Sequence, residues 1–213
     1  MWKTVRSRDG QLPSVLGCIG VEVNGQRVPI TYVQTDQINF QGPAVSGPVS
    51  VRVLSNADKQ NALFSNVANV TVLPVAPAFF TFNGSSIAAQ FANTADIVAN
   101  PAVVPGARPA KPGDIVTLYG TGFGATDPPV LPGALATGVS RVTTTPVTVT
   151  IGNVTLASSD VFYAGLSPGS ISGLYQLNVR IPVSTPDGDI PVVVSVGGTQ
   201  SPSGATIPVK AGQ

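Results

Sequence analysis

Histidine is absent from this sequence, and cysteine, methionine and tryptophan occur once each. Without histidine, the side chain that titrates closest to neutrality is missing, and most acid–base and metal chemistry goes with it. Cys18 has no second cysteine, so it supports neither an intrachain disulfide nor a cysteine-ligated zinc. With no histidine base beside it, a catalytic thiolate is also disfavoured, and Cys18 is expected to be a small buried residue. Charge is scarce: charged residues are 10% of the chain, against roughly 25% in an average globular protein. The net charge of +1 leaves no electrostatic footprint for nucleic acid or an anionic membrane. No apolar run reaches the ~18 residues of a membrane span, so no membrane insertion is expected. The opening MWKTVRSRDG carries positive charge but no apolar stretch, and so does not read as a signal peptide.

What the sequence has is glycine (23), proline (20) and short β-branched runs, in a chain that is 43% hydrophobic. Helical periodicity is lacking, whereas turn signals recur every ~8–15 residues, the rhythm of a β-sandwich. Strands are predicted at Val21 to Val23, before the hairpin dipeptide Asn24-Gly25, then at Ile30 to Val33, Pro48 to Leu54 and Val67 to Leu73. In the second half they fall at Ile115 to Tyr119, Val147 to Ile151, Val161 to Tyr163, Tyr175 to Ile181, Ile190 to Val196 and Ala205 to Val209.

The two halves repeat. Gln37-Ile38-Asn39-Phe40-Gln41-Gly42-Pro43 answers Gln176-Leu177-Asn178-Val179-Arg180-Ile181-Pro182. A strand with an aromatic precedes each, and a proline-initiated valine strand follows, PVSVRV from Pro48 and PVVVSV from Pro191. The second copy opens with DIVTLYGTGFG from Asp114, for which the first copy has no counterpart. The expected fold class is therefore all-β, two tandem β-sandwiches, the first lacking its opening strand. The expected domains are 1–78 (incomplete sandwich), 79–112 (a hairpin about Asn83-Gly84 and a Pro-rich connector) and 113–213 (second sandwich).

Three motifs, KPGDIVTLYGTGFG, GLSPGSISGLYQLNVRIP and QINFQGP, resemble the tandem C-terminal domain of secreted acidobacterial (Solibacter-type) proteins, which is similar to the IPT/TIG branch of immunoglobulin-like folds. The resemblance runs from about Leu12 to Val209. It implies a non-catalytic extracellular structural or interaction module, usually the tail of a larger protein. The low charge and abundant Thr, Ser, Gly and Pro also suit a secreted or cell-surface bacterial protein, of which this chain reads as a processed or truncated piece.

Two catalytic look-alikes fail on chemistry. Gly165-Leu166-Ser167-Pro168-Gly169 matches a nucleophile elbow, but no histidine is available and Pro168 has no N–H for an oxyanion hole. Gly120-Thr121-Gly122-Phe123-Gly124 follows a strand as a phosphate loop does, but Pro128-Pro129 forbids the helix such a loop must open. Its glycines are expected to allow positive φ at a bulge.

Gln37/Asn39 and Gln176/Asn178 each share one strand face, and they read either as amides bonded to neighbouring backbone or as a polar binding strip. Tyr163 and Tyr175 are candidate stacking surfaces for a polysaccharide, with filling of the core as the alternative. Asp187 and Asp189 form the closest carboxylate pair. Turn chemistry explains them, with a weak calcium site as the alternative and no other cofactor expected. The expected partner is a protein, or a second copy, held by the open edge of the first domain. That edge is to be completed by a partner chain or by Trp2 to Val15. The rival functions are a small Asp-dependent, calcium-assisted hydrolase and a carbohydrate-binding accessory module.

Overall fold

The computed structural model describes residues 11–212. The chain is all-β with antiparallel sheets; apart from one 3-10 turn at Ser158–Asp160, the described residues contain no helix, and so none long and apolar enough to cross a membrane. It divides into two compact units. The first runs to Pro74 and also takes in Pro129–Gly138 and Pro168–Gly173, while the second comprises Val75–Pro128, Val139–Ser167 and the chain from Leu174.

The first unit contains β1 (Val15–Leu16), β2 (Ile19–Val23), β3 (Gln26–Arg27), β4 (Ile30–Val33), β5 (Ile38–Phe40), β6 (Gly47–Ser55), β7 (Leu63–Phe64) and β8 (Ala68–Val72). The strands β4 and β5 form a two-stranded sheet, and the rest gather around β2 and β6. Asn24 and Gly25 adopt positive φ and turn β2 into β3, as the dipeptide predicts. Gly17 and Cys18 do the same between β1 and β2, with φ of 58° and 63°. The expectation of a buried Cys18 is thereby corrected. A two-residue turn throws its side chains outward, and the thiol is exposed, 3.8 Å from Asp58 Oδ2.

The second unit contains β9 (Ala78–Phe79), β10 (Ala89–Phe91), β11 (Ile115–Thr121), β12 (Thr126–Asp127), β13 (Arg141–Val142), β14 (Val147–Ile151), β15 (Val154–Thr155), β16 (Val161–Leu166), β17 (Tyr175–Arg180), β18 (Gly188–Val196), β19 (Thr199–Gln200) and β20 (Thr206–Val209). One sheet runs β10-β11-β17-β16-β13-β12, and the other is built on β14 and β18. Along β18, Ile190, Val192, Val194 and Val196 are buried at every second position, the period of a strand with one face in the core.

The pairings of the first unit recur in the second. The strands β2 and β6 pair as β14 and β18 do, with Val23 opposite Val51 and Ile151 opposite Val192. The β6–β8 ladder sets Val49 against Val70, and the β18–β20 ladder sets Ile190 against Ile207. The β4–β5 pair breaks register between Ile30 and Tyr32, and β16–β17 does so between Val161 and Tyr163. Beyond that break Asn39 faces Tyr32 as Asn178 faces Tyr163. The hairpins β2–β3 and β14–β15 correspond as well.

Besides β12 and β13, a long stretch of the second unit has no such counterpart among the described residues of the first, the run from Ala78 to Thr121. Its final strand, β11, lies antiparallel to β17 with Val116 opposite Val179, Thr117 opposite Asn178 and Leu118 opposite Leu177. Its earlier part lies beside β20: the Ile87 N–H donates to Thr206 O (2.9 Å) and the Ala110 N–H to Pro208 O (3.0 Å). Ile87, Ala89, Phe91, Val98, Ala110, Val116 and Leu118 are all buried in the core that β17, β18 and β20 complete. The glycines at the end of β11 and just beyond it permit a close approach of residues 76 to 78 by their lack of a side chain. A Cβ on Gly122, at φ +75°, would stand 1.9 Å from Ala76 O, and one on Gly120 would stand 2.6 Å from Ala78 O. Positive φ at Gly122 agrees with the sequence reading; the close approach of residues 76 to 78 is the additional reason.

Candidate functional site

The first unit is open at both places where the run from Ala78 to Thr121 closes the second. Among the described residues β5 pairs with β4 alone and β8 with β6 alone. The cost is visible at matched positions. Val70 is 46% exposed where Ile207 is 0%, and Phe40 is 38% exposed where Val179 is 0%. The core beneath is correspondingly small, with Val21, Val23, Val28, Ile30 and Val49 buried and Ile38 and Val72 only partly covered. Leu63, Phe64, Val67 and Leu73 add further exposed apolar surface around β7 and β8. Exposed strand edges with apolar side chains are where other strands add.

The direction of the open backbone groups on β5 follows from the bonds already made. Gln41 N–H donates to Pro29 O (2.8 Å), Gln37 O accepts from Gln34 N–H (2.8 Å), and Asn39 O accepts from the Thr31 hydroxyl (3.1 Å). Those residues therefore turn their main chain towards β4. Backbone groups alternate along a strand, so the N–H and C=O of Ile38 and Phe40 face away from β4, on the side that the equivalent strand β17 gives to β11 within its own unit.

Gln37 Nε2 donates to Asn39 Oδ1 at 2.7 Å, and Gln176 Nε2 donates to Asn178 Oδ1 at 3.3 Å. In the second unit Asn178 Oδ1 also accepts the Thr117 hydroxyl at 3.0 Å. Each amide pair thus bonds to itself, and in β17 additionally to the side chain of the strand beside it. Gln41, which follows β5, carries no signal of its own in the sequence. Its carboxamide donates to Ser172 O and accepts from the Gly133 N–H and the Ser172 hydroxyl, so it fastens two loops of the first unit. It answers Arg180 in the repeat, and Arg180 likewise reaches beyond its own strand, to Asp160 Oδ1 (3.2 Å) and Gly113 O (3.3 Å).

A second polar feature lies across β3, β2 and β6, where Glu22 sits between Arg27 (3.3 Å) and Arg52 (2.7 Å). Burial pushes the Glu22 carboxyl up, but the hydrogen bonds and charges of Arg52 and Arg27 outweigh it and hold it below its usual value of 4.5. At the matching positions the second unit has the hydroxyls of Thr150 and Thr155, 3.1 Å apart.

The remaining sequence candidates are placed as follows. Tyr163 is buried, its single hydroxyl proton within reach of Leu166 O (2.7 Å), the nearer acceptor, and Ser140 O (3.1 Å). Tyr175 is partly buried, its ring centroid 5.2 Å from that of Phe123 and its hydroxyl on Gly124 O; burial pushes its phenol up. Asp187 Oδ1 accepts the Ala211 N–H at 2.7 Å, and Asp189 is exposed opposite Pro208. Among the described residues no three His, Cys, Asp or Glu side chains gather in a metal-binding group. Ser167 of the elbow-like sequence is buried, with its N–H on Leu174 O. Of the segment Trp2 to Val15, the described part lies along β2 and β4: Val15 pairs with Gly20 and Pro13 O accepts the Ile30 N–H (2.8 Å). Trp2 to Gly10 lie outside the described residues.

No protein-family model matches this chain, and no curated protein matches it either.

Proposed function

We propose that the chain is a non-catalytic, extracellular interaction module of two tandem immunoglobulin-like β-sandwiches, whose first sandwich lacks its opening strand and accepts a strand from a protein partner along β5. The observation that carries this reading is the matched pair of strands β17 and β5. The first is flanked on both sides, by β11 and β16. The second has β4 alone among the described residues, with Phe40 left half-open. An added strand gains main-chain hydrogen bonds from Ile38 and Phe40 and covers apolar surface in the same step. The polar groups brought together serve geometry and contact: Gln37 and Asn39 shape the acceptor face, and Gln41 fixes its end.

Supplying the missing strand in cis tests the proposal. The sequence of Asp114 to Thr121 is appended to the N-terminus of the full chain through a Gly/Ser linker of about twenty residues, whose mean span is roughly 25 Å. The first unit is expected to melt about 4 °C or more higher, and any self-association or partner binding at β5 is expected to vanish. An unchanged melting profile with unchanged association would contradict the reading.

A further inference from the structure

Resting on that reading, we infer that the strand accepted by β5 is an extended segment of another polypeptide, antiparallel to β5, whose two inward apolar residues flank a threonine or serine bonded to Asn39. The second unit supplies the template. Superposing its pairing on the first places the guest residue equivalent to Val116 opposite Phe40, that of Thr117 opposite Asn39 and that of Leu118 opposite Ile38. Both templates for the inward positions are fully buried aliphatic side chains.

The middle position is chosen by hydrogen bonding. A carboxamide oxygen accepts two hydrogen bonds. Asn178 Oδ1 takes one from Gln176 and one from Thr117, whereas Asn39 Oδ1 takes one from Gln37 and, among the described residues, none from a neighbouring strand. A guest hydroxyl fills that place, and an aliphatic residue there leaves the oxygen without it. Two positions beyond the second apolar residue the guest passes Asp36, which is exposed and forms no ion pair among the described residues. A Lys or Arg there complements its charge. The guest pattern is therefore apolar, Thr or Ser, apolar, any residue, Lys or Arg. Gln41 is engaged by Gly133 and Ser172, so the guest ladder stops at Phe40.

The chain's own remaining residues do not fit this pattern. In WKTVRSRDG, setting Thr4 opposite Asn39 puts Lys3 at an inward position, and setting Ser7 there puts Arg6 and Arg8 inward. Burying either charge without a partner is strongly unfavourable. A second copy offers Val70-Thr71-Val72 on the open strand β8, but Val72 already packs against its own core and Val70 shares its face. A foreign strand has no such prior commitment.

The test uses the full chain and a synthetic peptide with the sequence of Asp114 to Thr121 in which the glycine opposite Asp36 is replaced by lysine. Amide hydrogen exchange is read with calorimetric titration. The expected result is saturable binding of one peptide per chain, slowing exchange at Ile38 and Phe40 by about tenfold or more, with Leu177 and Val179 unchanged. Replacing the peptide's threonine by valine should weaken binding about threefold to tenfold, the worth of one net hydrogen bond. In Asn39→Ala the same replacement should have no further effect, a coupling that fixes the register. Asp36→Asn, at an exposed site that leaves folding intact, should erase the preference for lysine over alanine in the peptide. If valine and threonine peptides bind alike while Ile38 and Phe40 become protected, the guest chemistry is wrong and the open edge stands. If those two amides are already protected in a concentration-dependent dimer, the occupant is a second copy and the inference is overturned. If no extended peptide protects them, both the guest and the acceptor edge fall.

Discussion

The ladders β6–β8 and β18–β20 hold the same register, yet one ends in a half-open Val70 and the other in a sealed Ile207. Pairing alone therefore does not make a core. What separates the two units is the run from Ala78 to Thr121, which borders β17 on one sheet and β20 on the other and contributes Ile87, Phe91, Val98, Val116 and Leu118 to the interior. Each unit has its ladders, and the second alone among the described residues has both edges covered. The difference teaches that the run from Ala78 to Thr121 is the closure of the second unit, and that the first unit, with no counterpart among the described residues, keeps Val70 and Phe40 exposed.

Substitutions at matched positions sharpen the comparison. The largest contrast is expected from introducing a charge: Val179→Asp places a carboxylate in the sealed interior and should unfold the second unit, a loss above about 4 kcal/mol. Phe40→Asp at the matching site should cost less than about 1 kcal/mol, because water reaches that position. Equal losses in urea unfolding would break the comparison. Next in size, Ile207→Ala should cost about 2–5 kcal/mol, and Val70→Ala under about 1 kcal/mol, since much of the Val70 side chain is already solvated.

Acid should separate the units in a different way. The Glu22 carboxyl is held below its usual 4.5 in the folded chain by Arg52 and Arg27, against the upward push of burial. A carboxyl with a depressed folded pKa stabilises above its unfolded value, and that contribution is lost as pH falls through the folded value. The first unit should therefore melt progressively lower below about pH 4.5, and Glu22→Gln should flatten that dependence. The second unit, with Thr150 and Thr155 at the corresponding positions, lacks this clasp. A pH profile for Glu22→Gln that parallels the wild type would remove Glu22 as the cause. A modest effect is expected at Tyr119, whose hydroxyl donates to Gln90 Oε1 at 2.7 Å. Tyr119→Phe should cost about 1 kcal/mol, confined to the second unit's thermal transition.

Much of this framework was legible in the sequence because its signals are local. The β-branched runs mark the long strands, Asn24-Gly25 dictates its own hairpin, and the QINF and QLNV segments share a face pattern that the backbone repeats down to the break before Tyr32 and Tyr163. What was not legible depends on partners far along the chain. The stretch 79–112 reads as a hairpin and connector, and nothing local says that Ile87 and Ala110 will border β20. Gln41 looks like any strand-end amide until Gly133 and Ser172 are beside it. Cys18 follows the burial habit of free cysteine by composition, but the two-residue turn with Gly17 overrides it. The amides Gln37 and Asn39 share a face by the alternation of the sequence alone. Their bond to each other, and the place for a hydroxyl beside Asn39, needed the β11–β17 register to be seen.

The proposed acceptor edge requires the outer side of β5 to be bare in the free chain. Residue-resolved amide exchange of the unliganded protein measures this directly. Ile38 and Phe40 are expected to exchange at least roughly tenfold faster than Leu177 and Val179, a gap of about 1.4 kcal/mol in opening free energy, while Asn39, bonded on the β4 side, is slower than either neighbour. Equal protection at the two pairs of matched amides would contradict it.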